Sequence, residues 1–174
     1  MYRAYLPTLL LLTLVIEGSL YQYFLPERLG ANYIIVPRFL LVSLVLIGIY
    51  LGRSTGLLYA LCFGLIYDVV YTELLGVYMF GFAVVGYAFA LSYKQIQDSI
   101  LVPLILSLVA VALFEYYQYG LFRLISITDM GAQVFVLERL LPTIVLNIGW
   151  AILMLYPIKK LCVHIQHHSS LRER

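Results

Sequence analysis

A chain of 174 residues that is 63% hydrophobic and only 11% charged, with a mean hydropathy of +0.96, lacks the polar surface to close a water-soluble globule. Soluble domains carry roughly 25% charged residues, so composition places the chain in a bilayer. The net charge of +2, with no basic run longer than Lys159-Lys160, gives no basis for a nucleic-acid partner.

The apolar runs predict six membrane spans, at about 5–25, 34–51, 55–71, 74–92, 100–127 and 134–158. Each is about 17–28 residues, enough to cross ~30 Å of hydrocarbon, the longer ones with tilt or protruding ends. The first has a positive start at Arg3 and an apolar middle, 9–16. It also carries Glu17 and runs on to Leu25 without an Ala-x-Ala-type site, so a retained helix is expected rather than a cleaved signal peptide. The second follows Pro37-Arg38. The third, shortest by this reading, is flanked only by Gly52-Arg53-Ser54 and Thr72-Glu73, which makes spans two to four a tight antiparallel meander. The largest gaps, 26–33 and 128–133, are too short for a folded domain. The expectation is one all-α integral membrane domain over residues 1–174, a six-helix bundle with very short loops, ending in a short basic tail at 159–174.

Within the third span Gly56, Ala60, Gly64 and Asp68 recur every fourth residue, on one stripe of a helix. Small residues at that spacing let helices approach closely in lipid, where apolar burial supplies no drive. Gly52, Gly56, Ala60, Gly64 and Gly76 are therefore the candidate helix-packing positions.

Lys and Arg set the orientation. With six spans, both ends and the second–third and fourth–fifth loops share a side holding Arg3, Arg53, Lys94, Lys159, Lys160, Arg172 and Arg174. The other side holds Arg28, Arg38, Arg123 and Arg139, with Glu27, Asp68, Glu73, Asp129 and Glu138. The positive-inside rule puts both termini in the cytoplasm. At about 1.5 Å per residue, Glu17, Asp68 and Glu115 then rise to the outer third of the bilayer on spans one, three and five. Arg38 and Arg139 reach a similar level from the opposite side. Each charge costs on the order of 2.5–3.5 kcal/mol at the membrane centre and less toward the interface. Glu17, Arg38, Asp68, Glu115 and Arg139 are thus expected to face one another or a water-filled cavity. Thr13, Glu17 and Tyr21 form one polar stripe, and Glu115, Tyr119 and Arg123 another. Depth and the adjacency of spans two and three pair Arg38 with Asp68, with Arg139 as the alternative.

Catalytic patterns are sparse. His164, His167 and His168 all lie in the tail, which supplies no intramembrane base or metal ligand; there is no Gly-x-Ser-x-Gly and no glycine-rich phosphate loop. Tyr67-Asp68 resembles half of an intramembrane aspartyl protease site, but Asp98 and Asp129 fall in loops and cannot complete the dyad. Cys62 sits mid-span and Cys162 past the last span, so no disulfide is expected. No enzyme activity, cofactor or metal is expected. The Tyr116-Tyr117-Gln118-Tyr119 cluster reads either as part of an interfacial aromatic belt or as a docking face for another helix.

The stripe of Gly56, Ala60, Gly64 and Asp68, the Leu75-Gly76 that opens the next span and the Pro37-Arg38 before the second span together resemble the bacterial rod-shape-determining protein family MreD, as do length and span number. The resemblance implies a multi-pass protein of the bacterial inner membrane, a non-enzymatic scaffold of the cell-elongation machinery. Its implied partner is a single-span MreC-type protein, with indirect links to an MreB-type cytoskeleton and the elongation-specific peptidoglycan synthases. The alternative is a substrate-capturing subunit of an energy-coupling vitamin importer, whose architecture MreD resembles. Against it, Thr13-x-x-x-Glu17 stands where such a subunit would carry small residues to dock its partner.

Overall fold

The computed structural model describes residues 5–23, 33–91 and 94–170, and every regular element among them is helical. In chain order these are α1 (Tyr5–Tyr21), α2 (Phe39–Leu51), α3 (Arg53–Tyr71), α4 (Val77–Phe89), the short α5 (Lys94–Asp98), α6 (Leu101–Leu124) and α7. The last starts as a single α turn at Ala132–Val134, becomes π-helical over Phe135–Leu140 and continues as α-helix through Leu141–Ser170. Residues 24–25 and 92 of the expected spans, Arg3, Glu27, Arg28, Arg172 and Arg174 lie outside the described residues, as do the side chains of His167 and His168. Among the described residues three helices are long and apolar enough to cross a membrane, Arg53–Tyr71, Leu101–Leu124 and Ala132–Gln166; α1, α2 and α4 are shorter apolar helices. The third expected span, read as the shortest, is thus among the three full-length ones, because its helix starts at Arg53.

α2 is the axis of the bundle. Its sequence, FLLVSLVLIGIYL, is apolar all round, and every residue from Phe39 to Tyr50 is buried. A helix without a polar face belongs inside, and α2 touches every other described helix, α1 and α3 to α7. Its 13 residues span only about 20 Å, but protein rather than lipid surrounds it. The outside of the bundle is apolar instead: Leu101, Ile105, Val109 and Leu113 form an exposed stripe along α6, and Leu58, Leu65 and Val69 are exposed on α3. Cys62 is exposed and Cys162 buried, and both are free.

The second span was expected to begin near residue 34, but the helix begins at Phe39. Pro37 is the reason: its ring disfavours helix at Val36, and it has no N–H of its own to donate. The non-helical stretch before α2 is held by α7. Ile34 N donates to Glu138 O (2.8 Å), Val36 N to Thr143 Oγ1 (3.1 Å) and Arg38 N to Asn147 Oδ1 (2.9 Å), while Asn147 Nδ2 donates to Val36 O (3.2 Å). Non-helical backbone at membrane depth persists only when protein satisfies it in this way.

The candidate packing glycines divide into two kinds. A β-carbon on Gly56 would lie 2.8 Å from Gly48 Cα on α2, and one on Gly64 would lie 2.6 Å from Met79 Cα on α4. Ala60 faces Gly86 of α4, whose added β-carbon would come within 3.2 Å of the alanine methyl. Gly52 and Gly76 are not packing residues. Nothing lies within 4 Å of a β-carbon at either, and both have positive φ, 94° and 97°. Each turns the chain sharply into the next helix, a conformation glycine adopts without steric cost.

The stretch 159–174, expected as a short basic tail, is helical as far as its described residues go. α7 runs through Pro157 to Ser170. Ile158 and Cys162 are buried, Lys159 Nζ donates to Gln97 O (2.7 Å), and Gln166 Nε2 donates to Tyr50 O (2.6 Å). The extension therefore covers the C-terminal end of α2 and serves a carbonyl that a helix end leaves unpaired.

Candidate functional site

At the opposite end of α2, three of the five expected charges meet. Arg38 stands immediately before Phe39, so its side chain is delivered to the mouth of the central helix. Its Nε donates to Glu115 Oε1 (2.6 Å), its Nη1 to the Tyr78 hydroxyl (2.9 Å) and its Nη2 to Gln118 Oε1. The guanidinium also lies 5.0 Å from the Phe114 ring centre and 5.3 Å from that of Tyr78. Arg139 approaches from the π-helical turn of α7, donating from Nε to Glu115 Oε2 (2.9 Å) and from Nη2 to Gln118 Oε1 (3.5 Å). π-helical turns re-aim side chains and are frequent at functional sites. Glu115, fully buried on α6, thus holds one arginine on each oxygen and locks α2, α6 and α7 together. Charge-assisted bonds of this kind are roughly twice as strong as neutral ones.

The expected Arg38–Asp68 pair does not form. The Asp68 carboxylate instead accepts the backbone N–H groups of Gly76 (3.0 Å), Tyr78 (2.9 Å) and Met79 (2.9 Å). These are donors that the start of α4 leaves unpaired, and a carboxylate there also meets the positive end of the helix dipole. Glu17 has a similar place: its Oε2 accepts the Leu40 N–H (2.7 Å) in the first turn of α2, with the Tyr67 hydroxyl as neighbour. Two carboxylates therefore serve helix N-termini, and the third serves the arginines. The stripe of Glu115, Tyr119 and Arg123 divides: Arg123 Nη1 donates to the Tyr119 hydroxyl at the rim, away from Glu115.

Several residues of this site escaped the sequence reading. Gln118, read in the sequence only as part of the tyrosine cluster, lies three residues after Glu115, hence on the same helical face, and is fully buried. Thr143 and Asn147 continue the Arg139 stripe at four-residue spacing and are also fully buried. Both signals were present in the sequence as polar residues in apolar helices. Of the tyrosine cluster, Tyr116 is exposed, Tyr117 donates to Val77 O (3.3 Å), and Tyr119 donates to Met130 O (2.9 Å) and stacks on Phe135 at 4.3 Å. Next to the arginines lies a cavity of about 230 Å³, with Arg38, Arg139 and Gln118 in its wall. Among the described residues no group of three or more His, Cys, Asp and Glu side chains could hold a metal.

The family model for the rod shape-determining protein MreD matches residues 2–165. The chain belongs to the MreD family. It is 36% identical to the "Rod shape-determining protein MreD" of Bacillus subtilis (strain 168) over 128 residues, which is 74% of each chain. No solved structure matches. As an MreD-family chain with several apolar helices, it is a multi-pass protein of the inner membrane.

Proposed function

We propose that this chain is a non-enzymatic scaffold of the cell-elongation machinery. In this reading it crosses the inner membrane six times with both termini in the cytoplasm. It binds a single-span MreC-type partner and, through it, supports an MreB-type cytoskeleton and lateral-wall peptidoglycan synthesis. The observation that carries the reading is the family match over residues 2–165. The geometry is compatible with it: the buried charges Arg38, Glu115, Arg139, Asp68 and Glu17 are engaged with one another or with helix ends, as a rigid framework requires. The apolar outer stripes of α3 and α6 offer surfaces on which a single-span partner could lie in the membrane. Family membership over nearly the whole chain favours this role over the importer-subunit alternative.

The test is co-purification in detergent with a tagged MreC-type protein, together with depletion in a rod-shaped host. Retention of the pair through size exclusion, and rounding of depleted cells, are expected. A protein that never co-purifies, and whose loss leaves rods of normal width, would remove the scaffold reading.

A further inference from the structure

The geometry points to the cavity beside Arg38 and Arg139 as a binding site for an oxyanion, a carboxylate or a phosphate; this goes beyond the scaffold role and does not depend on it. Among the described residues the wall includes Arg139, 19% exposed, and the buried Arg38, and no carboxylate. Glu115 lies behind the arginines, and Glu17 is engaged at α2 through Oε2, its Oε1 having no hydrogen-bond partner; neither lines the space. The other polar wall groups include Tyr78, whose oxygen accepts from Arg38 and so leaves its proton free to donate.

Gln118 supplies the second, independent observation. Its Oε1 receives both arginines, so the amide cannot be turned round, because an NH₂ there would face guanidinium donors. Nε2 is thereby fixed as a donor, and it has no partner although the residue is fully buried in the cavity wall. Buried polar atoms without a partner are rare in folded proteins, and this one belongs to a residue of the cavity wall. An oxyanion is the group that can take the Gln118 donor together with the free edge of Arg139, in the charge-assisted geometry that guanidinium groups favour.

Lining residues come from every side: Gly18 on α1, Val36 before α2, Tyr71 on α3, Tyr78 on α4, Phe122 on α6 and Arg139 on α7. The cavity volume, about 230 Å³, suits a small carboxylate, a phosphate ester or one lipid headgroup.

Trp150, the single tryptophan, stacks on Phe39 at 4.2 Å, one residue from Arg38, and gives a built-in signal. The whole protein in detergent would be melted by tryptophan fluorescence against sodium phosphate and sodium succinate, with sodium chloride at matched ionic strength. In parallel, native mass spectrometry would count lipids retained from phosphatidylglycerol and from phosphatidylcholine nanodiscs. A saturable rise in melting temperature with phosphate or succinate identifies a water-borne anion. Selective retention of phosphatidylglycerol, displaced by phosphate, identifies a headgroup; either supports the site.

Gln118→Glu is the deciding variant, because it keeps an acceptor for both arginines while replacing the free donor with an acceptor. It should fold and weaken binding at least tenfold. Arg139→Gln, which leaves Arg38 on Glu115, should weaken binding comparably and stands in if Gln118→Glu does not fold. No response beyond chloride together with no lipid selectivity, or undiminished binding in the folded variant, overturns the proposal.

Discussion

Glu115 carries an arginine on each oxygen, but the two arginines differ in setting: Arg38 is 1% exposed and Arg139 19%. Removing the carboxylate charge leaves two cations facing each other, one of them without access to water. Glu115→Gln should therefore destabilise by about 3–5 kcal/mol, the range for breaking a buried pair. Adding Arg38→Met to it should restore part of the loss. A double-mutant cycle on melting in detergent measures this, and simple additivity would show that the pair is not coupled. Asp68 should behave differently. Asp68→Ala strips an acceptor from three N–H groups and should cost about 1–3 kcal/mol, with Asp68→Asn milder because its amide oxygen still accepts. Asp68 and Arg38 share no direct bond and meet only through Tyr78, whose N–H serves one and whose hydroxyl the other, so Asp68→Ala combined with Arg38→Met should couple far less than the Glu115–Arg38 pair. A large coupling would contradict the assignment of Asp68 to the start of α4. Helical rise set the five charges at one expected level, and three of them, Arg38, Glu115 and Arg139, do meet. Their partners were not legible in the sequence, because depth says nothing about which way a side chain points around its helix. The competing acceptor need, three bare N–H groups eight to eleven residues downstream, becomes visible only once α4 is known to begin after Gly76.

The small-residue stripe on α3 could be read directly from its spacing, since a period of four fixes one helical face whatever lies opposite. Close approach at Gly64 leads to a specific expectation. With a β-carbon only 2.6 Å from Met79 Cα, Gly64→Leu must push α3 and α4 apart, and overpacking of this kind costs about 1–3 kcal/mol or more. Accumulation in membranes, followed by immunoblot, should fall. Normal levels with an unchanged melting temperature would mean that the two helices are not held at this distance. The ends of helices were harder to read. Pro37 marks a break, but the sequence alone does not say that Thr143 and Asn147, more than a hundred residues away, will satisfy the backbone it leaves open. At the other end, Pro157 and the polar residues beyond it look like the close of a helix. They continue as one because the end of α2 and Gln97 of α5 give Gln166 and Lys159 something to hold. Tertiary partners decided both boundaries.

Across the whole bundle, leucine, isoleucine and valine fill the interior along α2 as well as the outside, and the ion pairs and amides gather at one end of the central helix. Composition alone foretold the environment. It did not foretell that one helix would be excluded from lipid altogether, since a central helix and a lipid-facing one are both simply apolar. The orientation proposed from the Lys and Arg distribution has a direct check. Alkaline phosphatase fused after Met130 should be active, and fused after Lys94 inactive. The reverse pattern would turn the bundle over and place the arginine cavity on the cytoplasmic side.

The dependence of the stretch before α2 on α7 also has a consequence in time. The bonds to Val36 span 107 and 111 residues of sequence. At translation rates of about 5–20 residues per second, the ribosome needs roughly 5–20 s to make that much chain. Throughout that interval a nascent segment with open backbone groups and an unpaired arginine has already been synthesised, while the residues that complete it have not. Such a segment is expected to wait at the aqueous margin or within the insertion machinery, and to settle into the bilayer only as the final helix arrives. For this protein the order of manufacture and the order of assembly run in opposite directions, the innermost helix being among the first made and the last enclosed.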